Sequence, residues 1–399
     1  MSVARRLEAR DPIVAGWGMV PFRRADDGTT PRDWVRTVCR DALARAGLEP
    51  VDIDGVIIAC ESDHLSLQLS PSALFTDEIG LVPHAAVRVE SGGGSGANAV
   101  RVGVMHLLSG LARRVLVCGF EHAASHLKST DVRLLYGLSF DADIEGWTGV
   151  SAANLYALSV QLHMRRHGTT RNQLAAVAVK NRANALANPF AHRPGHVTID
   201  DVLASRVVSA PYNLLDCSSH SDAAAALVLG CPSALPAGAP PRVAITGSGC
   251  ATDHVRLGDR LDPSRFASKT SSARDAYTQA GIVDPAQDIE VAELYDAFSG
   301  AEIQAIEALG LAAEGHAAEW LEQGRFDPTG QVPINLSGGL IGQGSAPGAV
   351  GIAQVITVAR VLAGDYPLQP SARVPRRGLT DAHGGVATCS VTHILERFD

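Results

Sequence analysis

A stretch with almost no side chains is the first place in this chain where chemistry could occur. Gly92-Gly93-Gly94-Ser95-Gly96 follows the short run Ala85-Ala86-Val87-Arg88-Val89 and leads into apolar, small residues from Ala97 to Leu108, closed by Ser109-Gly110. The pattern predicts strand, glycine turn and buried helix. A turn without side-chain bulk lets backbone or ligand approach closely. The first N–H groups of the helix favour an anion or an oxyanion there. Gly93, Gly94 and Ser95 are therefore candidate substrate-binding residues; the competing reading is a tight turn that packs a helix on a sheet. A second candidate is Tyr295, just past the apolar run Ile289 to Leu294, because residues at the end of a central α/β strand commonly face the site. A phenol, with a reference pKa near ~10, is neutral at pH 7 and can donate a hydrogen bond. Its neighbour Asp296 is expected to orient the loop rather than titrate. Ser345, three residues before Gly348, reads either as an oxyanion donor or as the N-cap of a helix beginning near Pro347.

The totals bound the setting. The chain has 399 residues, 46% hydrophobic and 19% charged, with a net charge of −8. That describes a packed protein of two ordinary domains and argues against a nucleic-acid surface. No apolar run reaches membrane-spanning length, and Met1 to Arg10 is polar and basic, so neither a membrane span nor a secretory signal is expected. The seven cysteines are scattered without a Cys-x-x-Cys pair. This points to reduced thiols in a cytoplasm and to no metal site. There is no Gly-x-Ser-x-Gly elbow, which disfavours an ordinary serine hydrolase.

Elements that would position these residues follow from periodicity. Strands are expected at Pro12 to Gly18, Val51 to Cys60 and Arg114 to Gly119, with a helix from Pro31 to Ala46 closed by Gly47. Strands alternating with helices imply a parallel or mixed sheet. Residues 120–210 read as a helical and loop insertion. Tyr212 to Cys217 and Ala223 to Gly230 read as strands, Pro232 to Pro241 as a linker, and the alternation restarts at Val243. The restart repeats the first half: Ala44 to Asp54 and Thr278 to Glu290 share a helix end, a glycine cap, a proline turn and a strand start. Ser91 to Gly110 and Ser337 to Gly364 share a glycine-rich turn and an apolar helix. We therefore expect an N-terminal half, 1–235, and a C-terminal half, 240–399.

Duplicated halves, each with a glycine-rich turn opening a buried helix, resemble the thiolase superfamily. The resemblance covers nearly the whole chain. It is carried by Gly93-Gly94-Ser95-Gly96 at the place of Cys-x-Ser-Gly and by Glu293-Leu294-Tyr295-Asp296-Ala297-Phe298 at the His-Asp-x-Phe loop. Pro333 to Gly339 matches Pro-x-Asn-x-x-Gly-Gly, and Gly344 to Gly351 lies at Gly-His-Pro-x-Gly-Ala-x-Gly. Within Tyr156 to Leu229, His167-Gly168-Thr169-Thr170 and Asn188-Pro189 resemble the sterol-carrier-protein type. The resemblance implies a five-layered α/β/α/β/α fold, a homodimer joined near Arg114 to Cys118, and an acyl-CoA or carrier-protein thioester as substrate, with no bound cofactor. It also puts Cys389, on the apolar pattern Val386 to Ile394, near the place of the family's acid/base cysteine; an inert buried thiol is the alternative. His383 and His393, which bracket it, read as surface residues.

The departures from that pattern direct the functional reading. Gly93 replaces the nucleophilic cysteine, Tyr295 the loop histidine and Ser345 the histidine of Gly-His-Pro. An acyl-enzyme on residue 93 is excluded. Glycine and tyrosine at the first two places resemble the thiolase-like aldolases of steroid side-chain degradation, which cleave β-hydroxyacyl-CoA by a retro-aldol step and work with a small partner carrying an OB fold and a zinc ribbon. A retro-aldol needs a base and an enolate hole but no nucleophile. Tyr295, Asp296, Ser345 and Cys389 are the candidate catalytic residues. Gly93, Gly94, Ser95 and Gly348 are the candidate binding residues. The alternatives are an acyltransferase or condensing enzyme, and a catalytically inactive scaffold.

Overall fold

The computed structural model describes residues 6–237, 242–370 and 373–399. The expected linker lies outside the described residues from 238 to 241, as do the first five residues of the polar N-terminus. The main elements in chain order are β1 (Ile13–Met19), α1 (Pro31–Ala46), β2 (Gly55–Ala59), β3 (Ala85–Val89), α2 (Ser95–Ser109), β4 (Arg114–Glu121), α3 (Ala152–His167), α4 (Arg171–Asn184) and β5 (Ala223–Gly230). They continue with β6 (Arg242–Thr252), α5 (Ala267–Ala280), β7 (Val291–Glu293), α6 (Ser299–Ala308), α7 (Pro347–Ala363), β8 (Arg377–Gly384) and β9 (Cys389–Phe398). None of the described helices is long and apolar enough to cross a membrane.

The nine strands lie in the order β3-β2-β4-β5-β1-β6-β9-β8-β7, and β1 meets β6 only at the pair Ile13–Ala244. Outward from that seam, β1-β5-β4-β2 and β6-β9-β8-β7 are the same pattern. In each, the outer pair is parallel and the inner pairings are antiparallel. Where the first half adds β3, the second has a single parallel bridge, Ala292–Ile334.

Local devices repeat as well. Gly47 and Gly281 cap α1 and α5 with φ of 65° and 67°. The Asp54 carboxylate accepts the Arg113 and Arg114 N–H groups, each at 2.8 Å, to tie β2 to β4. Glu290 does the same for Arg376 and Arg377, at 2.5 and 3.2 Å, at the start of β7 and β8. In β1, a Cβ on Gly16 or Gly18 would collide with the Ala42 or Val38 carbonyl of α1; in β6, one on Gly247 or Gly249 would collide with the Ala276 or Ser272 carbonyl of α5. Each outer helix thus lies directly on the backbone of its seam strand.

Three buried apolar clusters fill the spaces between layers. One lies between α1 and the outer face of the first half-sheet, with Val35, Val38 and Phe120. A central one surrounds α2 and α7, with Val100, Ile352 and Val355. The third lies under the second half-sheet, against α3, α4, α5 and α6. The result is α/β/α/β/α, the expected layering. At its centre α2 and α7 cross on glycines: a Cβ on Gly96 would crowd the Gly348 carbonyl, and one on Gly351 would strike Ala97.

One expectation is corrected. Tyr212 to Cys217 is not one strand: Tyr212–Asn213 pairs with Val207–Ser209, and Leu214–Asp216 turns as a 3-10 helix because Asp216 accepts the Asn213 N–H at 2.8 Å. The segment Arg114 to Cys118, expected near a twofold interface, offers no free strand edge to a second chain. It belongs to β4, an inner strand between β2 and β5. Its apolar run correctly signals cover on both faces, but cover on the faces carries no information about the edge. The edge strand is β3, where Val87 is 40% exposed.

Candidate active site

Tyr295 stands two residues beyond β7, on a loop fixed by buried polar contacts. The Leu294 N–H donates to Asn335 Oδ1 at 2.7 Å. The Tyr295 N–H donates to Asp381 of β8, whose carboxylate is paired with the fully buried Lys269 of α5. Asp296 accepts from the Leu340 and Ile341 N–H groups at 2.5 and 3.3 Å and from Asn181 Nδ2 at 2.7 Å. Its carboxyl lies against Gly339, which has φ of 57° and no room for a Cβ. Burial, then the Glu302 charge, raises its pKa well above the usual carboxylate range. The Asp296 carboxylate is thus engaged by protein donors.

The Tyr295 side chain is buried and reaches the glycine turn. A Cβ on Gly93 would come under 3.0 Å from the Tyr295 hydroxyl and from the His383 carbonyl. The phenol oxygen therefore occupies the space that any larger residue at 93 would need. Its side-chain hydrogen-bond partner is Ser345. Burial, then the Glu61 charge, holds the phenol pKa well above its ordinary value, so the hydroxyl stays protonated and acts as a donor. Ser345 is fixed from both sides: its N–H donates to the Ser219 carbonyl and its carbonyl accepts the Ser221 N–H, each at 2.8 Å. It is not the N-cap of α7, a place taken by Ala346.

Residues from other strand ends complete the site. The His383 ring lies 4.6 Å from that of Tyr295. The Tyr156 hydroxyl donates to the Gly385 carbonyl at 2.6 Å, so at 2.5 Å it must accept from His383 Nε2. A phenol has one hydrogen to give, which places the imidazole proton on Nε2 and leaves Nδ1 a bare acceptor. Burial, then Lys269 and Arg260, pushes the His383 pKa well below its ordinary value, so the ring is neutral. Glu61, two residues beyond β2, and Glu121, ending β4, bring two buried carboxyls to the same region. Tyr136 stacks on His220 at 4.8 Å. Burial lowers the His220 pKa to about 4, so this ring too is neutral.

The other expected site residues lie elsewhere or work differently. The Ser95 hydroxyl donates to the Gly92 carbonyl at 2.6 Å and accepts the Ser91 N–H at 2.9 Å, so it staples the turn from within. Gly94 donates to the Ser91 carbonyl at 3.2 Å. Gly348 packs on the Phe120 and Ala59 carbonyls and gives its N–H to Glu121 Oε2 at 3.2 Å, which makes it a packing glycine with its donor already engaged. Cys389 opens β9, and its free thiol shares a hydrogen bond with that of Cys250 on β6; that hydrogen bond, then burial, raises its pKa. The residue beside Tyr295 is His383, not Cys389. His383 and His393 are fully buried, contrary to their reading as surface residues. The strand-end rule that found Tyr295 also marks Glu61 after β2, Glu121 at the end of β4 and His383 in the last turn of β8.

Sequence comparisons bear on this geometry. Residues 13–194 match the family described as "Thiolase, N-terminal domain", and residues 249–397 match "Thiolase C-terminal domain-like". The chain is 34% identical to an acetyl-CoA acetyltransferase of Methanothermobacter thermautotrophicus over 97% of this chain and 100% of that one. It is 29% identical to a steroid side-chain-cleaving aldolase of Thermomonospora curvata over 87% of this chain and 90% of that one. Among solved structures, an Ltp2-ChsH2(DUF35) aldolase superposes with a TM-score of 0.81 at 24% identity, covering 98% of this chain and 99% of that one, a likeness of fold.

Proposed function

Since the chain belongs to the thiolase family but carries Gly93, Tyr295 and Ser345 at its reactive places, we propose that it is a carbon–carbon lyase that cleaves a β-hydroxyacyl thioester, on CoA or a carrier protein, by a retro-aldol step. The observation that carries this reading is the Tyr295 hydroxyl set over Gly93. A neutral phenol there supplies a hydrogen bond where a nucleophile would otherwise stand. Cleavage needs an enolate stabilised at the thioester oxygen, and a fixed donor in a dry site suits that demand. Tyr295 donates to that oxygen, and Ser345 holds the phenol in place. Asp296 orients the loop. No step is assigned to Cys389.

The similarity to the acetyl-CoA acetyltransferase favours acyl transfer as the second reading. The two separate in one experiment. Purified protein, with and without a candidate partner, is incubated with a panel of 3-hydroxyacyl-CoA esters. We expect release of an aldehyde or ketone and an unmodified protein mass. An acylated protein without carbonyl release would establish transfer instead.

Assembly belongs to the same proposal. We place a homodimer at the exposed edge strand β3 and a small OB-fold, zinc-ribbon protein beside it, the latter suggested by the two components of the Ltp2-ChsH2(DUF35) aldolase. Light scattering at micromolar concentration is expected to give twice the chain mass. A monomer both alone and with the partner would rule this arrangement out.

A further inference from the structure

A neutral phenol can donate to a thioester oxygen, but it cannot also remove the β-hydroxyl proton. Buried polar atoms from residues around Tyr295 are left without a protein partner among the described residues, namely Ser91 Oγ, Glu121 Oε1 and His383 Nδ1, and the Glu61 carboxyl meets only the Tyr136 and Ser139 side chains. Buried polar groups are normally paired, so a set left open in one region marks where a ligand's own polar groups fit. Glu61, Glu121 and His383 are the groups here that can take up a proton, and Glu121 is already committed to the Glu61 and Gly348 N–H groups.

We propose that Glu61 is the group that takes the β-hydroxyl proton. This rests on the retro-aldol reading. The geometry supplies the first argument. A Cβ on Gly92 would lie 3.7 Å from Glu61 Oε1, while the next residue, Gly93, lies against the Tyr295 hydroxyl. Carboxyl and phenol therefore flank successive residues of a turn that has no side chains. The main chain of Glu61 is also fixed: its N–H donates to Glu121 Oε2 at 3.0 Å, the oxygen that holds the Gly348 N–H.

Charge separates Glu61 from His383. A proton on His383 would add a positive charge beside Lys269 and Arg260 in a fully buried site. The groups that face Glu61 are Glu121 of β4, Glu90 before the turn, Tyr136 of the helix Ser129–Gly137, Ser139, Tyr156 of α3 and Tyr295. All are acidic or neutral, so a proton arriving on Glu61 is favoured. Burial, then Glu121 and Glu90, raises its pKa well above the usual carboxylate range. A strong acceptor is what abstraction from an alcohol requires.

The step balances without an oxidant or reductant. The proton passes from the β-hydroxyl to Glu61 Oε2, and the O–H electron pair becomes the second C–O bond of the released aldehyde or ketone. The Cα–Cβ bond breaks and its pair moves into the thioester enolate, whose oxygen takes the Tyr295 hydrogen bond. Glu61 then returns its proton to Cα, which leaves the shortened acyl thioester and an ionised carboxylate.

The test compares wild type with Glu61→Gln and Glu61→Asp on a tertiary 3-hydroxyacyl-CoA, measuring kcat and KM from pH 5 to 9. Because ionised Glu61 is the active form, wild-type kcat/KM is expected to rise with pH through a value above the ordinary carboxylate range. Glu61→Gln should lower kcat about 10²–10⁴-fold with KM changed little, and should abolish that rising limb. Glu61→Asp, which keeps the acid, should restore part of the rate and shift the limb. If wild type cleaves the ester while Glu61→Gln stays within about threefold and keeps the limb, far short of an acid–base loss, Glu61 is not the acceptor and the lyase reading survives. If folded wild type with its partner cleaves no such ester, both fall together.

Discussion

Replacing Tyr295 by phenylalanine is expected to lower turnover of the cleaved thioester by about 10²–10⁴-fold, the loss typical of one positioned acid–base group. That corresponds to about 3–5 kcal/mol of transition-state stabilisation. The substitution keeps the ring, which is buried against His383. It removes only the hydroxyl and its bond to Ser345. One such bond contributes about 0.5–1.5 kcal/mol net, so the melting temperature should move little. If the lost donor serves the transition state alone, kcat falls and KM holds. Turnover within about threefold of wild type, against that expected range, would reduce Tyr295 to a packing residue.

Restoring a cysteine at position 93 is expected to destroy lyase turnover without creating a thiolase. Its Cβ would come under 3.0 Å from the Tyr295 hydroxyl and the His383 carbonyl, so the phenol must leave its place. Overpacking of this kind costs about 1–3 kcal/mol of stability. The new thiol would sit just before α2, where the helix dipole lowers its pKa, yet no imidazole placed as in the family stands ready to activate it. His383 has its Nε2 engaged by Tyr156, a proton on its Nδ1 is opposed by Lys269 and Arg260, and Ser345 is no imidazole. Thiolysis of a 3-ketoacyl-CoA by Gly93→Cys, read from loss of the ketoacyl chromophore, should stay at background. Efficient thiolysis would show that the phenol yields its place freely. The double variant Gly93→Cys with Tyr295→His, which clears the phenol, is the informative companion.

Periodicity carries the duplicated frame because its cause is local. Helix ends, glycine caps and apolar strands are properties of short segments, and the match of Ala44–Asp54 with Thr278–Glu290 reappears as the paired devices of Asp54 and Glu290. Tyr295 was legible for the same reason, as the residue after a buried strand. What stayed hidden depends on contacts across the chain. Cys389 and His383 lie six residues apart on paired strands, and only the hairpin decides which one faces Tyr295. Glu61 looks like a solvated acid in Cys60-Glu61-Ser62-Asp63 and becomes a site residue only because Glu121, sixty residues on, holds its backbone. Gly348 reads as an oxyanion donor until α7 is placed against β2 and β4, which take both its space and its N–H.

The helices seated on Gly16, Gly18, Gly247 and Gly249 have a consequence for how related chains would be compared. At these contacts main chain meets main chain, so no side chain there can be exchanged to adjust the spacing. Drift in neighbouring core residues can be absorbed by repacking, but a methyl group at any of the four lifts a whole helix off its strand. An aligned set of relatives would therefore show these positions as fixed while Gly93, Tyr295 and Ser345 vary with the chemistry performed. Ranking positions by invariance alone would select the glycines, on the strand faces turned towards the outer helices α1 and α5, and would pass over the residues that separate one activity from another on this frame.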